Sequence, residues 1–152
     1  MESRSLALDA EALTEFLEEV FPQVRGRFVI EDLAPLFARV RLRVGEPDLR
    51  PGGTVSGPAM FTAADVAFYI AVLAMIGREP LTVTTNLSID FLRKPAPRDV
   101  TAEARVLKLG RTLAVGDVSL FSPGVEGPVA HANVTYAIPP RRSDGATLAL
   151  PP

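Results

Sequence analysis

The sequence predicts an α+β fold in which an antiparallel sheet curls around one long helix. Three observations lead there. The stretch from Ser56 to Gly77 is almost wholly apolar, and Asp65 is its only charge, so it reads as a helix enclosed by protein on all sides. The segments flanking it alternate apolar and polar residues with the two-residue period of half-buried strands. Downstream of it the strands follow one another with no helical pattern between them, which implies an antiparallel sheet that must cover a single helix.

Taken in order, Asp9 to Phe21 forms a short amphipathic helix. Asp9 is a suitable N-cap, Glu11 and Glu15 suit the early turns, and Leu13, Phe16, Leu17, Val20 and Phe21 make the apolar stripe. A short strand is possible from Phe28 to Leu33. From Leu36 to Val44 the alternation is clear: Leu36, Ala38, Val40, Leu42 and Val44 face one way, and Phe37, Arg39, Arg41 and Arg43 the other. The Pro- and Gly-rich loop Glu46–Gly53 then leads into the central helix, punctuated by Gly57-Pro58 before it and Gly77 after it.

Leu81–Leu92 is the next strand, with Val83, Thr85, Leu87, Ile89 and Phe91 expected on one face and Thr82, Thr84, Asn86, Ser88 and Asp90 on the other. Val100–Leu109 and Leu113–Phe121 read as a hairpin joined by Gly110-Arg111-Thr112. Val129–Ile138 is the last strand. We expect a single domain over 1–152, with 1–27 a helical lead-in and 139–152 a poorly ordered, proline-rich tail carrying Arg141 and Arg142. The exposed edges of such a sheet invite pairing with a second copy, so a homo-oligomer is expected.

Composition narrows the chemistry. With 152 residues, 16 basic against 18 acidic groups and a net charge of −2, the chain lacks the basic footprint of a general nucleic-acid binder. It has no cysteine and a single histidine, His131, which removes thiol catalysis, disulfides and thiolate or histidine-built metal sites. The first residues lack the basic start and apolar core of a secretory signal, and we expect a cytoplasmic protein. The central helix is long enough to span a bilayer. A charge near its middle, where insertion costs roughly 2.5–3.5 kcal/mol, argues against a span.

Several motifs in this order resemble the hotdog-fold acyl-CoA thioesterases of the phenylacetate-degradation (PaaI-like) type. That family carries a His-Gly-Gly turn, a helix, and an aspartate seven residues after the second glycine. Here Ser56-Gly57-Pro58 occupies the turn and Asp65 stands at that spacing. Ile89-Asp-Phe-Leu-Arg-Lys-Pro95 is similar to the family's Ile-x-Phe-Leu-Arg-Pro. Ala104–Ala114 and the last strand fit as well, so that the resemblance spans about 35–138. It implies a homodimer or homotetramer with active sites between subunits and an acyl-CoA whose thioester lies near the start of the central helix. No cofactor is implied beyond the coenzyme A of the substrate, and no metal.

The resemblance also implies roles. Asp65 acts on the thioester as general base or nucleophile, and the Gly57 N–H polarises its carbonyl. A helix N-terminus suits a developing oxyanion, and burial beside an oligomer interface would tune an aspartate for base work. Thr84 matches a hydroxyl residue that helps hold the attacking water. Three positions depart from the family: Ser56 for histidine, Pro58 for the second glycine, and Arg50 for asparagine. Ser56 can still donate a hydrogen bond, and Arg50 and Pro58 border the same turn.

Tyr69 and Asn86 are further substrate-facing candidates, with core packing the alternative for Tyr69. Arg93, Lys94, Lys108 and Arg111 could meet the phosphates of coenzyme A. A serine triad of Ser56, His131 and Asp65 is rejected, because Gly53–Gly57 is not the strand-turn-helix elbow that such a serine requires. A dehydratase-type chemistry lacks its helix-start histidine. The remaining alternative is a non-catalytic hotdog protein that binds acyl-CoA without hydrolysing it.

Overall fold

A computed structural model describes residues 5–140 of the chain. The order expected of the tail over 139–152 therefore concerns residues that, from 141 onward, lie outside those described. Helix α1 (Ala10–Val20) is followed by β1 (Phe28–Ala34), β2 (Phe37–Leu42), the long helix α2 (Gly57–Ile76), and then β3 (Val83–Phe91), β4 (Val100–Leu109), β5 (Leu113–Phe121) and β6 (Ala130–Ala137). The strands form one sheet in the order β1-β2-β4-β5-β6-β3, antiparallel at every pairing. Its concave face holds α2.

The local chemistry of each helix explains its limits. Asp9 caps α1 by accepting the Ala12 N–H at 2.8 Å. Ser56 caps α2 in the same way, accepting from the Ala59 N–H at 3.2 Å, and Pro58 sits in the first turn where its missing donor costs nothing. Gly77 ends α2 at φ 95, a backbone angle that glycine adopts without strain.

Small residues on the inner face let the sheet come close to the helix. Ala38, Val40, Leu42, Ala102, Ala104, Ala114, Val118, Ala130, Ala132 and Val134 are all buried there. At Gly116 the approach is closest, for a Cβ there would lie 2.6 Å from the ring of Phe68. Phe68 thus seats α2 on β5. The helix meets the length and apolarity of a membrane span, but most of it is buried inside this fold. It is the core helix of the sheet.

Four details differ from the sequence reading. The α2 surface is not covered all round: Pro58, Phe61, Thr62 and Asp65, spaced to share one side of the helix, keep partial exposure, Phe61 as much as 40%. In α1, Leu13, Phe16 and Leu17 are buried as expected, whereas Val20 and Phe21 remain 38% exposed because the chain turns away at Pro22. The Leu36–Val44 strand is shorter, since Leu36 sits in the turn at φ 66. Finally, β3 does not alternate throughout. Its register with β6 slips between Thr84, opposite Tyr136, and Asn86, opposite Thr135. The extra residue at this bulge puts Thr84 on the same inner face as Leu87 and Ile89, and leaves Val83 and Asn86 on the outer face.

Candidate active site

Two hollows lie along α2 between its N-terminus and its middle, apart from one at its far end. The first, of about 440 Å³, opens at its N-terminus between the 46–56 loop and the end of β3. The loop is held by Ser56 N–H donating to the Asp48 carbonyl at 2.7 Å and by Arg50 N–H donating to the Thr54 carbonyl at 2.9 Å. Asp48 itself is nearly buried, paired with Arg27 and accepting from the Gly45 N–H. This bracing presents Arg50 beside Gly57. Arg93 and Lys94 line the opposite wall. Arg93 donates to the Pro128 carbonyl at 2.7 Å.

Gly57 is the first residue of α2, so its N–H has no acceptor within the helix and points outward. The ring of Phe91 covers it, 3.3 Å from where a Cβ would stand. Ser56, by capping, is committed as an acceptor, while its hydroxyl proton stays available.

The second hollow, of about 270 Å³, contains Asp65, Thr84, Tyr136 and Tyr69. Asp65 Oδ1 accepts two hydrogen bonds, from Thr84 Oγ1 at 2.6 Å and from the Tyr136 hydroxyl at 2.6 Å. Tyr136 also reaches the Asp65 backbone carbonyl at 3.0 Å. Among the described residues Oδ2 accepts no hydrogen bond. Burial, with the adjacent Asp65 charge adding, raises the Tyr136 hydroxyl far above the usual tyrosine range, so it stays protonated and donates. Burial likewise pushes Tyr69 up to about 12, and its hydroxyl donates to the Pro80 carbonyl at 3.1 Å. Val20, Phe21, Val66, Pro80, Thr82 and Val83 complete the walls.

The structure therefore gathers Asp65, Thr84 and Tyr69 in one hollow, and Gly57, Arg50, Arg93 and Lys94 in the other, with Ser56 and Pro58 flanking the second group. Asn86 stands apart, on the outer face of β3 where alternation with Leu87 places it, while the bulge turns Thr84 to the inner face. Lys108 is also on the outer face, opposite Val115 beyond a second bulge in β4. Arg111 lies at the far end of α2, near Ile76 and Ile138. His131 contacts Asp117 at 2.9 Å on the outer side of the sheet, so no triad with Ser56 assembles.

Sequence reasoning missed Tyr136, Val20 and Phe21 as parts of the site. A buried tyrosine in the last strand is itself a signal, since its hydroxyl needs a partner, but which partner depends on strand register.

A six-stranded antiparallel sheet wrapped on one long helix is the hotdog architecture. A family model described as the thioesterase superfamily matches residues 52–129, about half of the chain. The chain belongs to this superfamily. It is similar to a candidate esterase of Saccharolobus solfataricus, 32% identical over 104 residues, covering 68% of this chain and 67% of that protein. It is also similar to the crystal structure of a candidate thioesterase from Silicibacter, with 57% identity and a TM-score of 0.84 over 91% of this chain and 97% of that one. A mutant of the phenylacetic acid degradation protein PaaI from Thermus thermophilus shares 27% identity and a TM-score of 0.66, over 77% of this chain and 98% of that one.

Proposed function

We propose that this protein is an acyl-CoA thioesterase, hydrolysing a short-chain, medium-chain or aromatic acyl-CoA to free acid and coenzyme A. The observation that carries the reading is the Asp65 carboxylate, half-buried in a hollow, held through Oδ1 and, among the described residues, without a hydrogen bond at Oδ2. Hydrolysis needs a group that activates water or attacks the carbonyl, and a donor for the oxyanion. In the first route Oδ2 takes a proton from water as the water oxygen adds to the carbonyl carbon. The tetrahedral oxyanion then collapses, the C–S bond breaks, and the thiolate recovers the proton. In the second, Oδ2 itself adds and expels the thiolate, leaving an anhydride that water opens.

Gly57 supplies the oxyanion donor. It lies eight residues before Asp65 on one helix, roughly 12 Å along its axis, whereas both groups must come within about 3 Å of one carbonyl. The reading therefore requires a homodimer or homotetramer in which Asp65 of one subunit meets the Gly57 amide of another. The open strip Pro58, Phe61, Thr62 and the edge position of β3, unpaired on one side among the described residues, support it. Arg50, Arg93 and Lys94 supply positive charge for the coenzyme A phosphates. Lys108 and Arg111, away from both hollows of their own chain, would have to serve a neighbouring one. No cofactor is needed beyond the coenzyme A of the substrate, and we place the enzyme in the cytoplasm.

A second reading, a non-catalytic acyl-CoA binder, is favoured by the Phe91 ring over Gly57 and by Arg50 at the mouth. Thiol release across an acyl-CoA panel separates the two. Wild type is expected to turn over, and Asp65→Asn to lose about 10²- to 10⁴-fold in kcat. Binding of CoA esters without thiol release by wild type would refute the enzyme. Full activity in Asp65→Asn would refute the role of Asp65 alone.

A further inference from the structure

Tyr136 belongs to none of the sequence motifs assigned a role, yet its single O–H, 71 residues away in sequence, reaches Asp65 Oδ1 at 2.6 Å with the Asp65 carbonyl a longer, shared acceptor at 3.0 Å. We propose that Tyr136 is a positioning residue for Asp65: together with Thr84 it clamps Oδ1, so that Oδ2 alone meets water or thioester in a fixed orientation. This inference rests on the thioesterase reading above.

The geometry favours a clamp over a tyrosine that merely satisfies its own hydroxyl. A backbone carbonyl would do for that, and the Asp65 carbonyl is within reach at 3.0 Å, but the shorter bond, 2.6 Å, goes to the carboxylate. The post that carries the hydroxyl is rigid. Tyr136 is 3% exposed, its ring rests against Phe68 at 5.4 Å and Tyr69 at 6.0 Å, and β6 is paired on both sides. Rotation of the ring about its own axis leaves the hydroxyl where it is.

Thr84 approaches the same oxygen from β3, brought to that face by the bulge. Two donors occupy both lone pairs of Oδ1. A half-turn of the carboxylate exchanges two chemically equivalent oxygens, so the free position in space is the same either way. Because Tyr136 stays protonated, it donates to Asp65 throughout and does not compete with it as a base. A reacting group displaced by about 1 Å can cost on the order of 10²-fold in rate, which is the scale on which such a clamp acts.

The test is the steady-state kinetics of Tyr136→Phe, Thr84→Val and Thr84→Ser on the best acyl-CoA, with kcat and KM resolved and folding followed by thermal unfolding. Tyr136→Phe keeps the ring and is expected to fold. Its kcat should fall about 10- to 100-fold while KM moves less than about twofold. Thr84→Val should behave likewise and Thr84→Ser should retain activity. The double variant Thr84→Val with Tyr136→Phe should lose less than the product of the two single losses, since both act through one carboxylate.

Active wild type with unchanged kcat in Tyr136→Phe overturns the clamp and leaves the thioesterase standing. Inactive wild type overturns the thioesterase and the clamp with it. Should Tyr136→Phe not fold, Thr84→Val decides, and wild-type kcat there overturns the clamp.

Discussion

The seat of α2 on the sheet can be tested at a single glycine. A methyl group on Gly116 would stand 2.0 Å from the Arg105 carbonyl oxygen and 2.6 Å from the Phe68 ring. The ring can tilt, but the carbonyl belongs to β4 in the middle of the sheet and yields only by disturbing the β4–β5 ladder. Overpacking typically costs about 1–3 kcal/mol, and a backbone obstacle places Gly116→Ala near the upper end of that range. At about 2–4 °C per kcal/mol for a chain of this size, Tm should drop by about 6–12 °C.

Activity should fall too, because Phe68 touches the Tyr136 ring at 5.4 Å and its displacement loosens the grip on Asp65. The assays are thermal unfolding at one protein concentration, which holds constant any contribution from the proposed self-association, and thiol release. Gly45→Ala is the control: its Cβ would meet only Pro47 Cδ at 3.6 Å, an ordinary contact, and its cost should stay within about 0.5 kcal/mol. If Gly116→Ala proves as stable as Gly45→Ala, the crowding of Gly116 between the β4 backbone and Phe68 is wrong.

Two further stability predictions concern carboxylates. Asp99 is held below the usual carboxylate range, first by the Val44 N–H at 2.9 Å and then by Arg41 at 2.7 Å, against the opposing effect of burial. A lowered folded-state pKa means the stabilisation is present above the unfolded value and is lost as pH falls through the folded one. Asp99→Asn should therefore cost about 1 kcal/mol at neutral pH, a modest figure because the group is over a third exposed, and the gap to wild type should close below about pH 4. Urea unfolding at a series of pH values reads this, and a gap independent of pH would contradict it. Asp9→Ala removes the α1 cap and should cost about 0.5–2 kcal/mol, read as a fall in the urea midpoint, with little effect on kcat; an unchanged midpoint would show the cap contributes nothing.

Much of the candidate site was legible along the chain. Asp65 declares itself as the one charge in an apolar helix, and Ser56, Gly57 and Pro58 mark the start of that helix by local chemistry. Thr84 stands out by the family resemblance, yet strict alternation places it on the wrong face because alternation cannot foresee a bulge. The same bulge separates Asn86 from Thr84. The cations divide similarly: Arg50, Arg93 and Lys94 converge on one hollow, whereas Lys108 and Arg111 lie elsewhere on the sheet and at the far end of α2.

By itself the sequence determined what is local: helix limits through caps and glycines, strand identity through alternation, and the isolated carboxylate through contrast with its neighbours. Only the tertiary structure decided which side chains meet across the sheet. Strand register and bulges depend on pairing between segments distant in sequence, so no window of residues encodes them. The Tyr136 hydroxyl reaches Asp65 because β6 pairs with β3 in one register, with Gly116 letting Phe68 seat the helix at the right depth.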